Sequence, residues 1–371
     1  MSRIYDNWER LVAAVLKKEE LRRIALCPSF DCSISTDFSV DSYLEDVSAV
    51  SGTCETIDPG ASSSSSVLSY REVKPIEYTE IKKATKNFRH DLVLGEGGFG
   101  PVFKGWIDED TLNASKPGFG IAVAAKIWRS ELLRGRHEWL KELNYLSQLR
   151  HPNIIKLMGY CKEEDNLILV YEFMPKGSLV NHLFTRWHQS LSWTTRIKVA
   201  IDVARGLSFL HETEIPVIHR CFHTAHILLD AEFNAKLSDF GLAWNHPTGL
   251  MSDMSTRLMG TYGYAAPEYI ATGHLTTKCD VYGYGVVLLE LLCGRRAFDK
   301  NRGANEENLV EWAKPYLGDN RKLFQVMDTK LEDQYPLKQT RKVAMLALRC
   351  LSNMPKLRPS MTEILVALEQ L

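Results

Sequence analysis

Gly95, Gly97 and Gly100 sit between two β-like runs, Asp91 to Leu94 before them and Val102 to Trp106 after. The spacing is G-x-G-x-x-G-x-V, ending at Val102. Glycines placed so closely let backbone N–H groups approach a phosphate. The pattern alone is weak, because a dinucleotide-binding turn uses the same spacing between a strand and a helix. Strand-like residues on both sides predict a hairpin instead.

The rest of the chain carries this reading further. A helix is predicted from Tyr78 to Phe88, a strand from Ile121 to Trp128, a helix from Leu132 to Gln148 and a strand from Leu167 to Phe173. After Gly177 helical periodicity dominates, as in Trp193 to His211, Asp280 to Leu292 and Thr340 to Leu351. A strand-rich front and a helix-rich back imply a two-lobed α+β arrangement. No internal repeat is visible.

The totals exclude several classes. With 371 residues the chain holds about two to three domain-sized units. A net charge of −1 gives no case for nucleic-acid binding. Eight cysteines without C-x-x-C pairs fit neither a disulfide framework nor a structural zinc site, and a reducing intracellular compartment is expected. The longest apolar candidate, Val286 to Cys293, is broken by Glu290 and is far short of the ~20 residues that span a bilayer. Charges interrupt the N-terminus throughout, which argues against a signal peptide.

Trp8, Leu11, Val12 and Val15 share one helical face, followed by Lys17, Lys18, Arg22 and Arg23. That segment is either a weak membrane-surface helix or one that packs or frays. Residues 27–70 are rich in Ser, Thr and Asp, and are expected to be disordered.

Further motifs resemble those of protein kinases. Val123-Ala124-Ala125-Lys126 is similar to the kinase V-A-I-K strand, and Glu142 fits the ion-pair partner on the next helix. Leu169-Val170-Tyr171-Glu172-Phe173-Met174 resembles a kinase hinge, Asp239-Phe240-Gly241 matches D-F-G, and Ala266-Pro267-Glu268 matches A-P-E. The resemblance implies that Gly95, Glu96, Gly97, Gly100 and Lys126 meet ATP phosphates. It also implies that Val102, Ala124 and Leu228 sandwich the adenine, and that the backbone of Glu172 and Met174 reads its edge. Asp239 would hold magnesium, Glu268 would pair with Arg358, and Asp280 would anchor the catalytic-loop backbone. His219, Phe240, Leu146 and Leu157 would stack to align the lobes.

Leu94 to Gly100, Met259 to Tyr269 and Asp280 to Glu290 look like plant receptor-like cytoplasmic kinases, in the VII-like subfamily that works beneath cell-surface immune receptors. The resemblance covers residues 76–371, with the N-lobe at about 88–174 and the C-lobe at about 175–371. Residues 1–75 would form a largely disordered extension. By that resemblance the chain is cytoplasmic, peripheral at the plasma membrane, and partnered by receptor kinases, active kinase relatives or immune receptors. Ser255, Thr256 and Thr261 would be phosphorylation candidates. Ser2 follows Met1, so the glycine needed for myristoylation is absent, and Cys27 and Cys32 are the remaining acylation candidates.

The main departure is His219-Arg220-Cys221-Phe222-His223-Thr224-Ala225-His226, which aligns with H-R-D-x-K-x-x-N. Cys221 stands at the base Asp, His223 at the phosphate-steadying Lys and His226 at a magnesium-binding Asn. A neutral thiol is a weak acceptor, and imidazole is a poor ligand for magnesium. The expectation is a pseudokinase acting by binding, with ATP binding retained and Mg²⁺ or Mn²⁺ binding weak or absent. The alternative is an active Ser/Thr kinase with an unconventional loop. Cys221, His226 and Asp239 also form a plausible zinc ligand set, although drift in an unused loop explains the same residues.

Overall fold

A computed structural model of the chain describes residues 73–97, 100–128, 133–163, 166–184, 190–245, 261–303, 305–319, 321–331 and 334–371. The helix expected over 1–26, the stretch 27–70 with Cys27 and Cys32, and Ser255 and Thr256 lie outside the described residues.

The front lobe is a six-stranded sheet. Its strands are β1 (Lys74–Pro75), β2 (Val93–Gly97), β3 (Gly100–Ile107), β4 (Ile121–Trp128), β5 (Leu157–Glu163) and β6 (Asn166–Glu172), in the order β1-β5-β6-β4-β3-β2. All pairings are antiparallel except β1 with β5. Lys74 and Pro75, counted with the extension above, thus belong to the sheet edge. The glycine-rich stretch is a hairpin, with Gly97 opposite Gly100.

Helix α1 (Tyr78–Ala84) covers one sheet face. Ile81 and Ala84 are buried there with Ile107, Val123, Ala125, Ile168 and Val170. The helix stops short of the expected Phe88, because Lys86, Asn87 and Phe88 adopt φ of +52°, +62° and +52°. The turn lets Asn87 N–H reach Lys82 C=O at 2.7 Å and delivers the Phe88 ring onto Phe103, centroids 5.4 Å apart. The other sheet face carries Leu157, Leu167, Leu169 and Tyr171. These pack with Trp139 and Leu146 of helix α2 (Leu133–Gln148), in a cluster that continues into the back lobe.

The back lobe is mainly helical: α3 (Leu179–Leu183), α4 (Trp193–His211), α5 (Pro267–Thr272), α6 (Thr277–Cys293), α7 (Leu309–Leu317), α8 (Leu337–Cys350) and α9 (Met361–Glu369). Its short strands β7 (Gly177–Ser178), β8 (Val217–Ile218), β9 (Ile227–Leu229), β10 (Ala235–Leu237) and β11 (Trp244–Asn245) form a three-stranded sheet, β10-β9-β7, and a two-stranded one, β11-β8. Helix α6 starts three residues before the expected Asp280, because the Thr276 hydroxyl caps it by accepting from Lys278 N–H at 3.2 Å. Gly294 ends it at φ +60°, where a Cβ would lie 2.3 Å from the Asp328 carboxylate.

The apolar run at Val286 to Cys293 is therefore a buried core helix, and among the described residues no helix is long and apolar enough to cross a membrane. Glu290 is satisfied inside it. Its carboxylate accepts from Tyr264 O–H at 2.7 Å and from Ala297 N–H at 2.8 Å. Burial outweighs these bonds and raises its pKa from the ordinary 4.5 to about 7. Glu290 is thus protonated in the fold where it is ionised in the unfolded chain. Its favourable contribution is full below pH 4.5 and is lost as pH rises to about 7, an interval worth roughly 3 kcal/mol. A Glu290→Gln variant should match wild type near pH 4.5 and be about 3 kcal/mol more stable at pH 8. Urea unfolding of both proteins across that range checks this, and parallel pH profiles would refute it.

Candidate nucleotide cleft and catalytic loop

Strand register assembles the upper wall of the cleft. Val102 opposes Lys126 and Ala124 opposes Tyr171, so Val102, Ala124 and Lys126 share one face. Val102, Ala124 and Leu228 are half-buried. Ideal Cβ atoms on Gly95 and Gly97 would meet nothing within 4 Å, which leaves the hairpin open to an approaching group. Gly100 is different: its φ is +140° and a Cβ would strike Ile127 C=O at 2.0 Å. The Glu172 carboxylate turns to Lys236 at 2.8 Å, leaving its backbone in the hinge. Glu96 is exposed and Met174 is buried.

Lys126 Nζ lies 3.4 Å from Glu142 Oε2 and 3.7 Å from Asp239 Oδ1. Burial disfavours the ammonium, but the two carboxylates outweigh it and hold Lys126 charged. Two contacts here were not legible in the sequence. Tyr171 O–H donates to Glu142 Oε1 at 2.8 Å, and Lys126 Nζ lies 4.2 Å from the Trp128 ring centroid. Tyr171 thereby fixes the second carboxylate oxygen of Glu142. The sequence shows a tyrosine within the hinge-like run, but nothing in it points that hydroxyl at Glu142.

Below the cleft, Asp280 anchors the catalytic loop by accepting from His219 N–H at 2.8 Å and Arg220 N–H at 2.9 Å. These bonds hold Arg220 at φ +66°, a conformation a non-glycine residue rarely adopts. The Phe240 and His219 rings are in contact, tilted by 54° with centroids 5.0 Å apart, and Leu146 and Leu157 are buried in the same core as Phe240. Glu268 and Arg358 form a two-bond ion pair at 2.6 and 2.7 Å.

The loop's unusual side chains converge. Cys221, His223 and His226 each offer a donor atom within 4.8 Å of the others. His223 and His226 rings lie 4.0 Å apart by centroid. Nδ1 of His226 is 2.8 Å from Cys221 C=O, and Nε2 is 3.1 Å from Asp239 Oδ2. A carbonyl only accepts, so Nδ1 carries a proton. Burial disfavours a charged His226 ring, but the Asp239 carboxylate outweighs it and raises the pKa well above the usual histidine value. Burial also works against the Asp239 anion, but Lys126 and then His226 hold its pKa well below the ordinary range. His223 goes the other way: burial, then His226, keep it neutral. Thr261 is half-buried, its hydroxyl 4.0 Å from Cys221 Sγ.

Residues 88–368 match the family of protein tyrosine and serine/threonine kinases. The chain belongs to the protein kinase family. Among its kinase relatives, the probable serine/threonine-protein kinase PBL10 of Arabidopsis thaliana is 60% identical over 307 residues, covering 82% of this chain and 74% of the relative. Receptor-like cytoplasmic kinase 176 of Oryza sativa subsp. japonica is 55% identical over 318 residues, 85% of this chain and 80% of that one. The serine/threonine-protein kinase BIK1 of Arabidopsis thaliana is 54% identical over 307 residues, 82% and 78% respectively. The two-lobed architecture is thus that of a kinase. The fold brings Lys126, Glu142 and Asp239 together with Cys221, His223 and His226 in one cleft.

Proposed function

We propose that residues 76–371 form a kinase-fold signalling domain that binds ATP and partner proteins but transfers phosphate poorly. Receptor kinases, active kinase relatives or immune receptors are the partners, and contact with the plasma membrane is peripheral. The observation that carries this reading is the His226 imidazole on Asp239 Oδ2 at 3.1 Å, beside a thiol where the family has its base.

Phosphoryl transfer depends on positioning and electrostatics, and the family supplies both with hard metal ions held by oxygen ligands. In this cleft Asp239 offers oxygen, but its neighbour offers an imidazole that suits softer metals. The donor set fits Mg²⁺ or Mn²⁺ poorly, so binding of either is expected to be weak. The nucleotide fits better. Lys126 stays charged beside Glu142, and Gly95 and Gly97 leave room for phosphates.

A second reading is an active Ser/Thr protein kinase with an unconventional loop. It is favoured by the names of the relatives, which are 54–61% identical and called serine/threonine-protein kinases. The closed Lys126–Glu142–Asp239 trio is compatible with it. Transfer of labelled γ-phosphate by the purified chain, with Mg²⁺ and with Mn²⁺, separates the two. We expect wild type to match the Lys126→Ala control. Transfer that disappears in Lys126→Ala would establish the second reading and overturn the first.

A further inference from the structure

We infer that Cys221, His223 and His226 form a binding site for a borderline-soft divalent metal ion of the Zn²⁺ type, with Asp239 as the adjoining fourth ligand. Nδ1 of His226 must donate to Cys221 C=O, so the lone pair of the neutral ring is on Nε2. That atom faces Asp239 Oδ2 at 3.1 Å, and two lone pairs do not meet at that distance unless a cation lies between them. The cation is either a proton or a metal. Two ligands at about 2.0–2.2 Å from a tetrahedral zinc stand close to this distance from each other. The Nδ1–H···O=C bond is also the outer bond that orients a metal-ligating histidine.

Asp239 touches this group of ligands through His226, and the other two, Cys221 and His223, cluster with that histidine. Donor atoms of Cys221, His223 and His226 lie within 4.8 Å of one another, so side-chain rotations of about 1 Å would bring them to ligand spacing. Ligation takes a neutral imidazole at His223. Its Nδ1 accepts a long bond of 3.3 Å from Ala225 N–H, a weak contact. Ligation through Nδ1 would give it up. Cys221 is half-buried and has no disulfide. Its thiol would release its proton to solvent on binding, and the proton shared by His226 and Asp239 would leave with it. A set of one sulfur, two imidazoles and one carboxylate suits Zn²⁺ and disfavours Mg²⁺. The sequence alone suggested Cys221, His226 and Asp239; the fold adds His223.

The site is read without nucleotide or phosphate transfer, so it stands or falls apart from the proposed function. Full-length protein purified without chelators is stripped of metal and titrated with Co²⁺ alone. We expect one equivalent to produce a thiolate-to-cobalt charge-transfer band with the intense visible transitions of four-coordinate cobalt. Zn²⁺ should remove both, and a hundredfold excess of Mg²⁺ should not. The chain has eight cysteines, so Cys221→Ser decides the assignment. That variant should lose the band. His226→Asn, with the thiol intact, should bind more weakly than wild type by more than the ~10–100-fold that changes outside the ligand shell cost. Circular dichroism checks the fold of both variants, and either variant alone suffices if the other is unstable. No band in wild type, a band kept in Cys221→Ser, or unchanged affinity in His226→Asn would each overturn the site.

Discussion

The variant carrying Cys221→Asp, His223→Lys and His226→Asn together should transfer phosphate at least ~10²-fold faster than wild type, the low end of what general-base help contributes. Each change acts on a contact in the structure. Cys221→Asp supplies an ionised acceptor in place of a thiol. His226→Asn removes the imidazole from Asp239 Oδ2 and offers a side-chain oxygen beside the freed carboxylate. His223→Lys places a permanent cation where burial now keeps a neutral ring. The gains act on one site and will not sum as independent steps. The measurement is initial velocity with Mg²⁺ and labelled ATP, with Lys126→Ala built into both backgrounds. A slow wild type and a fast variant would locate the lost chemistry in the loop. Two slow proteins would mean that the cleft is inactive for further reasons. Two fast ones would establish an active kinase.

Arg358→Ala should lower the unfolding free energy by about 3–5 kcal/mol, the usual cost of breaking a buried ion pair from one side. Arg358 is buried and donates to both Glu268 carboxylate oxygens, to Ser352 C=O at 2.8 Å and to Lys278 C=O at 2.9 Å. Truncation would leave Glu268, which is 16% exposed, without its cation and strand both carbonyls. Domain stabilities lie at about 5–15 kcal/mol, so the variant would sit near its folding limit. Urea unfolding at neutral pH measures the loss. A decrease below about 1 kcal/mol would show that the pair is dispensable. Glu268→Leu combined with Arg358→Met should recover part of the loss, because well-packed apolar residues can replace a buried pair at little cost.

Much of this cleft was legible because its parts are set by local chemistry. Glycines at 95, 97 and 100 between two β-like runs read as a hairpin, and Gly97 does face Gly100 across one. Alternating strands around Lys126, a helix carrying Glu142 and the acid at Glu268 were all visible. Periodicity and short motifs depend on neighbours within one element. Helix ends were less legible. The α1 helix stops at Ala84 because three residues turn left-handed to bring Phe88 onto Phe103, a partner fifteen positions away.

By itself the sequence determined the two-lobed kinase architecture and the identity of the side chains in the altered loop. It left open what those side chains do to each other. Whether His226 faces Asp239, and whether His223 joins Cys221, depends on how Asp280 pins the loop backbone and how the D-F-G turn approaches it. Those distances run between segments far apart in the chain. They are set by packing across the cleft, and only the tertiary structure decides them.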